Sequence, residues 1–282
     1  MKQWMIRIFA GLILLVGLGL MGYPILSNYL YEKNQKELAA YYDSKTKEIT
    51  VEERSHHWDE CDAYNEFLAG EAGVSGDPFA NDLDPETLPY ADLLNIDGNG
   101  TMGSIEIPGV TDKLMIYHGT REDVLQKGVG HLQGTSLPVG GTSTHAVLSA
   151  HCGLPSKKLF TNLDQLELGD VFYLHILGDV LAYQVDQINT VEPHETDGIQ
   201  IQPDEDYVTL VTCTPYGINS HRLLVRGTRI PYEEAKRIEA SQKKRASTWQ
   251  QQYLKAILIG LGIAVAVGLA LILIRHLRRR KK

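Results

Sequence analysis

The most apolar positions of the chain fall in two uninterrupted runs, one near each end. Residues 8–31 carry no charged side chain, and residues 256–274 form a second uncharged run. A helix needs about 20 apolar residues to cross the hydrocarbon core of a membrane, so each run is long enough. The pattern therefore predicts two transmembrane helices that flank a long middle segment.

The middle segment begins with helical spacing and continues with strand-like runs. Residues 32–70 predict a helical stalk of one or two helices, and residues 71–100, rich in Gly, Asp, Asn and Pro, predict a long loop. Short runs rich in β-branched and aromatic residues then fill residues 101–231, and residues 160–166 between them predict one helical turn. The runs are SIEIPGV, KLMIYH, HAVLSAH, VFYLHIL, LAYQVDQI, YVTLVTC and RLLVRGTRI. They predict an all-β barrel or sandwich with short helices.

Basic residues set the orientation of the two end segments. Lys2 and Arg7 precede the first run, and six basic residues follow the second run. Lys and Arg collect on the cytoplasmic side, so both termini are predicted to be cytoplasmic and the middle segment extracellular. Residues 1–31 are then predicted to form a cytoplasmic tip and a transmembrane helix. Residues 232–255 are predicted to form a juxtamembrane helix, and residues 256–282 a transmembrane helix with a basic tail. A cleaved signal peptide is the alternative for the first run.

The charge of the chain is divided unevenly. Of the 27 basic residues, 19 lie between the two runs, together with all 35 acidic residues, so the net charge of this segment is about −16. Binding to nucleic acid needs a basic face, so the extracellular part is predicted not to bind nucleic acid. No motif for a metal or a nucleotide is present, so no cofactor is predicted.

All three cysteines lie in the predicted extracellular segment. They are Cys61, Cys152 and Cys213, and their spacing does not resemble a zinc site. Because three is odd, at least one thiol stays unpaired within a single chain. Thiols outside the cell are exposed to oxidation, so a retained thiol is a candidate nucleophile.

Cys213 ends a strand-like run that is followed by a turn and a second run. The turn TPYGINS separates YVTLVTC from HRLLVRG, which predicts a hairpin with Arg222 beside Cys213 at the rim of the barrel. An adjacent cation lowers the pKa of a thiol. A guanidinium can also donate hydrogen bonds to the oxyanion that forms when sulfur attacks an amide.

A cysteine nucleophile also needs an acid for the departing amine, and histidine is the usual one. His151 ends the run HAVLSAH and so lies at a strand end, as Cys213 does. His221 directly precedes Arg222, so the two side chains are expected to point to opposite faces of the strand. Spacing alone favours His151 and leaves His118, His131 and His145 open.

These residues resemble a known family. TLVTC followed nine residues later by arginine, with an upstream strand that ends in histidine, resembles the sortases of Gram-positive bacteria. The closer similarity is to class C, the pilin-polymerising sortases, and it covers roughly residues 75–231. Two long strings carry it, IYHGTREDVLQKGVGHLQGTSLPVGGTSTHAVLSAHCGLPSKKLFTNLDQLELGD and TLVTCTPYGINSHRLLVRGTRI.

The resemblance implies a sortase-type β-barrel and a cysteine transpeptidase. The family cleaves the Thr–Gly bond of an LPXTG-like sorting signal through a thioester, and a pilin lysine then forms an isopeptide bond. By resemblance, Cys213 is the nucleophile, His151 the general acid and base, and Arg222 the oxyanion-stabilising residue. The implied partners are pilins that carry such signals and an acceptor lysine, with membrane lipid around the two helices.

The resemblance also gives a role to part of the long loop. The string GDPFAN is similar to the class C lid, which folds over the active site. On this reading Asp77 contacts a basic residue such as Arg222, Phe79 covers Cys213 and Pro78 stiffens the approach.

One position departs from the class C pattern. Cys152 follows the histidine directly, where many class C members have arginine. One reading is a disulfide between Cys61 and Cys152, which ties the stalk to the barrel and leaves Cys213 as a thiol. The alternative is that Cys152 packs as a small apolar side chain.

Two other functions fit parts of the sequence less well. A papain-like cell-wall peptidase would use Cys213, a histidine and Asn219, but such enzymes place the cysteine at a helix N-terminus. A non-enzymatic surface protein would need a sorting signal just before residue 256, where the sequence is STWQQQYLK. The string LPVGG at residues 137–141 lies inside the β region instead.

Overall fold

The computed structural model describes residues 2–70, 90–242 and 249–280. The chain forms two compact units, one made of Met1–Ile25 with Arg245–Lys282 and the other of Leu26–Lys244. The lid predicted at Asp77, Pro78 and Phe79 lies outside the described residues.

The first unit consists of helical segments from the two ends of the chain. They belong to α1 (Lys2–Glu48) and α5 (Trp249–Arg280). One described helix, Ile8–Glu48, is long and apolar enough to cross a membrane, and α5 contributes a shorter apolar stretch, Gln252–Gly268. One of the two predicted spans therefore meets the test of length and composition, and the second stays a prediction.

The second unit is built around eight strands that close into a barrel. Around the barrel the strands follow the order β1-β2-β3-β4-β7-β8-β6-β5, and only the pairs β2–β3 and β4–β7 are parallel. The strands are β1 (Thr101–Ile107), β2 (Thr111–His118), β3 (Val129–His131), β4 (Thr144–Ser149), β5 (Val171–Ile176), β6 (Asp179–Val191), β7 (Asp206–Thr214) and β8 (His221–Ile230). The prediction of an all-β barrel is confirmed.

Three further helices accompany the barrel in this unit. They are α2 (Val51–Gly70), α3 (Glu122–Leu125) and α4 (Tyr232–Ser241). A capping box starts α2: the backbone N–H of Glu53 donates to Thr50 Oγ1 at 3.1 Å, and the N–H of Thr50 donates to Glu53 Oε2 at 2.8 Å. Such reciprocal bonds satisfy helix N–H groups that have no partner within the helix, which fixes where α2 begins.

The barrel interior is filled by apolar and aromatic side chains of the surrounding strands. The rings of Phe172 and Tyr183 stack with centroids 5.6 Å apart. Gly227 makes this stack possible, because a Cβ there would lie 2.6 Å from Phe172. The same core reaches outward to Cys61 on α2, and Tyr42 of α1 donates its buried hydroxyl to the carbonyl of Met102 at 2.9 Å. The later part of α1 and the whole of α2 are therefore packed into the second unit with the barrel.

One strand differs from the sequence prediction. The three-residue strand β3 pairs with β2 on one side and with β4 on the other. It is too short to show an alternating pattern of its own, and only its neighbours in space identify it as a strand.

Candidate active site

Parallel pairing of β4 with β7 brings the ends of both strands to the same edge of the barrel. The register runs from Thr144 opposite Asp206 to Ser149 opposite Val211. The contact continues one residue further, because Thr212 Oγ1 donates to the carbonyl of Ala150 at 2.7 Å. Parallel strands advance together, so the following residues, His151 and Cys213, lie at the same level of the rim.

The β7–β8 hairpin places Arg222 directly opposite Cys213. The two residues are partners in the antiparallel register, and Thr214 pairs with His221 beyond them. Side chains of directly opposed residues extend from the same face of a sheet. The structure thus brings these two residues together as the hairpin pattern predicted.

The guanidinium of Arg222 is oriented by the backbone of its own hairpin. The residue is only 8% exposed, and its Nη1 donates to the carbonyls of Asn219 at 3.3 Å and His221 at 3.2 Å. Arginine keeps its charge at every physiological pH. The hairpin therefore holds a permanent cation at the position paired with Cys213.

His151 is half-buried and lies beside a carboxylate. Its Nε2 is 3.2 Å from Glu122 Oε2 on α3. The other carboxylate oxygen of Glu122 accepts a 2.7 Å hydrogen bond from Gln126 Nε2, which orients the group from within the helix. Glu122 was not among the predicted site residues, because nothing in the local sequence links it to His151.

The competing histidines are hydrogen-bonded within the fold. Nδ1 of His145 bonds the carbonyl of Gln200 at 2.8 Å, its Nε2 bonds Thr209 Oγ1 at 2.7 Å, and burial lowers the pKa of His145 to about 4. Burial also lowers the pKa of His131 to about 4, and its Nε2 donates to the carbonyl of Ser136 at 2.8 Å. These two rings are neutral structural groups.

Both ring nitrogens of His118 contact backbone carbonyls. Its Nδ1 lies 3.0 Å from the carbonyl of Gly100, and its Nε2 lies 2.7 Å from the carbonyl of Leu93. Among the four candidates that spacing left open, only His151 lies at the rim level of Cys213.

The predicted disulfide between Cys61 and Cys152 is wrong. Both residues are free thiols in the structure. Cys61 is fully buried in the core on α2, where burial raises its pKa to about 12. Cys152 is half-buried in the loop after β4, and its Sγ lies 3.9 Å from the carbonyl of Thr161. Burial raises the pKa of Cys152 to about 11, so the packing alternative describes this residue.

The loop after His151 packs against the hairpin that follows Cys213. Gly153 has a φ of +84°, and a Cβ there would lie 3.0 Å from the ring of Tyr216. Glycine thus permits both the backbone conformation and the close approach of the ring. Tyr216 and Ile218 are 62% and 71% exposed, so this part of the rim presents apolar surface to solvent.

The remaining features of the region limit its chemistry. Within the described part of the chain, no group of three or more His, Cys, Asp or Glu side chains is arranged to hold a metal ion. The string LPVGG is not available as a sorting signal, because Leu137 is fully buried and Val139 is 5% exposed.

Comparison with known proteins agrees with this arrangement. The sortase domain family matches residues 105–230. Sortase D of Bacillus subtilis is 30% identical over 131 residues, which cover 45% of this chain and 63% of that protein. Sortase A of Streptococcus agalactiae is 34% identical over 116 residues, 40% of this chain and 47% of that protein. The chain thus spans less than two thirds of either of these curated relatives.

Solved structures cover more of the chain. Sortase C of Streptococcus pneumoniae is 48% identical with a TM-score of 0.63, and the match covers 70% of this chain and 97% of that one. Sortase C-1 of Actinomyces oris is 47% identical with a TM-score of 0.59, and the match covers 63% of this chain and 99% of that one. The chain therefore belongs to the sortase family of cysteine transpeptidases, and to class C within it.

Proposed function

We propose that this protein joins pilin subunits at the outer face of the cell membrane. Cys213 attacks the Thr–Gly carbonyl carbon of an LPXTG-like sorting signal, and the C–N bond breaks to leave a thioester. The released glycine amine takes a proton. A lysine amine of a second pilin then attacks the thioester, and the sulfur leaves as an isopeptide bond forms. Covalent catalysis of this kind splits one difficult acyl transfer into two easier steps.

One observation carries the proposal: Cys213 and Arg222 are direct partners across the β7–β8 hairpin. The permanent charge of the guanidinium stabilises a thiolate, and its N–H groups can donate to the oxyanion of each tetrahedral intermediate. Because carbonyls of the hairpin hold Arg222 in place, little reorganisation is needed when charge develops on the substrate.

His151 is proposed to carry the proton. It gives a proton to the glycine amine as the first C–N bond breaks, and it accepts one from the lysine amine in the second step. The parallel pairing of β4 and β7 supports this role, since it brings the residue to the rim level of the nucleophile. The carboxylate of Glu122, 3.2 Å from His151 Nε2, supports the orientation of the ring.

The papain-like alternative has weaker support. Papain-like enzymes use the N-terminus of a helix to activate the cysteine. Cys213 instead lies near the end of β7, a strand paired on both sides, and its proposed activating group is a side chain.

The substrate class and the location rest on the class C neighbours and on the sequence. The sortase C of Streptococcus pneumoniae is described in terms of pilin substrate specificity, and we infer pilins with a sorting signal as partners here. We further infer that residues 256–274 form a second membrane span. Both termini would then be cytoplasmic and the barrel extracellular, as the flanking basic residues indicate.

The test is a search for the covalent intermediate. The full chain in detergent is incubated with peptides that carry candidate sorting signals, and intact mass spectrometry is used to look for a thioester adduct. The adduct is expected on the wild-type protein and not on Cys213→Ala. Adducts of equal yield on both proteins would refute the proposal.

A further inference from the structure

A fully buried amide on α1 contacts the loop that follows the proposed proton carrier. Asn28 has no exposed surface. Its Oδ1 accepts a 2.7 Å hydrogen bond from the backbone N–H of Lys158, and its Nδ2 donates to Glu32 Oε1 at 2.8 Å. Burial of an amide costs free energy unless both of its ends are bonded, and here both are.

The loop held by Asn28 is tied closely to His151. The backbone N–H of Phe160 donates to the carbonyl of His151 at 3.2 Å, and the N–H of Gly153 donates to Thr161 Oγ1 at 3.0 Å. These two bonds close the base of the loop. A displacement of Lys158 is therefore transmitted to the backbone of His151.

The same face of α1 also bonds the segment that follows α3, the helix whose Glu122 lies beside His151. Tyr31 donates its hydroxyl to the carbonyl of Lys127 at 2.9 Å, and Gln35 Nε2 donates to the same carbonyl at 3.1 Å. Lys127 follows α3, the helix that carries Glu122. The helix thus bonds the segments on both sides of His151. Asn28 is its buried contact with the loop after the ring, next to Ser27, whose Oγ donates to the carbonyl of Ser156 at 3.2 Å.

From these contacts we propose that Asn28 is a positioning residue for the transpeptidation reaction. Acting through Lys158 and the closed loop, it fixes the imidazole of His151 relative to Cys213. This inference rests on the proposed role of His151. It assigns to α1, the helix that contains the candidate membrane span, a part in the geometry of the active site as well as in anchoring.

The role of Asn28 can be tested by removing its bond to Lys158 and then restoring it, with the amide and the carboxylate exchanged between positions 28 and 32. Asn28→Leu keeps the approximate size of the side chain and removes the bond to Lys158. The double variant Asn28→Asp with Glu32→Gln restores both bonds, because the new carboxylate accepts from Lys158 and from the new amide. Glu32→Gln alone keeps both bonds of Asn28 and serves as the control.

Tyr42→Phe is the matched control for stability. Tyr42 lies on the same helix, is 1% exposed and bonds the carbonyl of Met102, but it does not contact the loop after His151. Asn28→Leu removes one hydrogen bond between α1 and the rest of the unit, from the N–H of Lys158. Tyr42→Phe removes two, to the carbonyl of Met102 at 2.9 Å and from the N–H of Leu177 at 3.3 Å, so it is the more severe test of stability alone. The first variant weakens the contact of α1 with the loop after His151, and the second weakens its contact with Met102 on β1.

The full chain in detergent is assayed with a fluorescence-quenched peptide containing Leu-Pro-Glu-Thr-Gly. Asn28→Leu is expected to lower kcat between about tenfold and 100-fold at an unchanged KM, as small misplacements of catalytic groups do. The double variant and Glu32→Gln are expected to recover most of the wild-type kcat. Tyr42→Phe is expected to lower the melting temperature and to leave kcat within about twofold, because the catalytic groups stay aligned.

Two results would overturn the inference: an Asn28→Leu protein that loses only stability, like Tyr42→Phe, or a double variant as slow as Asn28→Leu. If Asn28→Leu does not fold, Asn28→Ser replaces it, because the shorter side chain also loses the bond to Lys158. These outcomes are distinct from a failure of the proposed function. That failure would appear in the wild-type protein as the absence of any adduct that depends on Cys213.

Discussion

The interior and the rim of the β4–β7 sheet use the same kinds of residue in different ways. His145 lies within the paired part of β4, both of its ring nitrogens are bonded, and burial lowers its pKa to about 4. His151, six residues later, lies just past the strand end, is half-buried and faces the carboxylate of Glu122. The contrast associates a position within the paired strand with a structural histidine, and a position past the strand end with the proposed proton carrier.

The largest expected effect is at the sulfur on the rim. Cys213→Ala is expected to abolish adduct formation and peptide turnover, because the remaining thiols cannot replace the nucleophile. Thr209→Val, in the interior of the same strand, removes the bond to His145 Nε2 and should lower stability while activity remains. Intact mass spectrometry and a peptide cleavage assay measure the difference. Turnover in Cys213→Ala would remove the distinction between rim and interior.

The next effect is at the hairpin cation. Arg222→Ala is expected to lower kcat/KM by about 10²–10³-fold, the usual cost of losing one oxyanion donor. Arg222→Lys should fall between this variant and the wild type, because it keeps the charge and loses the fork of donors. Steady-state kinetics on a sorting peptide provides the measurement. Wild-type kinetics in Arg222→Ala would contradict the role proposed for the pair.

The buried histidines should make stability depend on pH. Because burial lowers the pKa of His145 from 6.5 to about 4, the unfolded chain binds a proton in this range that the folded chain does not. The free energy of unfolding should therefore fall as pH drops from 7 to 4, by about 3 kcal/mol for this residue. Urea unfolding at several pH values measures the fall.

His145→Asn should show a smaller fall than the wild type, since it removes one such group. His221→Gln is the rim control, because that side chain is 40% exposed and its replacement leaves the buried His145 in place. An identical pH dependence in His145→Asn and the wild type would contradict the assignment of His145 as a buried neutral ring.

The smallest effect is expected at the thiol next to the proposed proton carrier. Cys152→Ala should change kcat by less than about twofold, because burial raises the pKa of Cys152 to about 11 and keeps it protonated. For the same reason, the Cys213→Ala protein should react slowly with iodoacetamide at pH 8. Peptide mapping after alkylation tests both points. Rapid labelling of Cys152 would show that the rim activates any thiol near it.

Local sequence was sufficient to predict where Cys213, Arg222 and His151 lie. Only six residues separate β7 from β8, so the alternation of the two strands fixed the pairing of Cys213 with Arg222. The run HAVLSAH also made a strand end visible, which indicated that His151 lies at the rim level of Cys213. These inferences depend on contacts between residues that are near each other in the chain or in one hairpin.

The rest of the site depends on distant contacts, which sequence spacing does not reveal. The bond from Lys158 to Asn28 joins residues 130 positions apart, and Glu122 reaches His151 from a separate helix. The disulfide prediction was wrong for a related reason. An odd number of cysteines indicates that one is left over, but the burial of Cys61 in the core depends on how α2 packs.

The β7–β8 hairpin separates two demands on the enzyme. Its paired strands hold the proposed nucleophile and the proposed stabilising cation, while the intervening turn carries the exposed side chains of Tyr216 and Ile218. The residues of the turn take no part in the pairing of the two strands, so exchanges of its exposed side chains are expected to leave the register unchanged. The turn can therefore change in sequence while the pairing of Cys213 with Arg222 is kept.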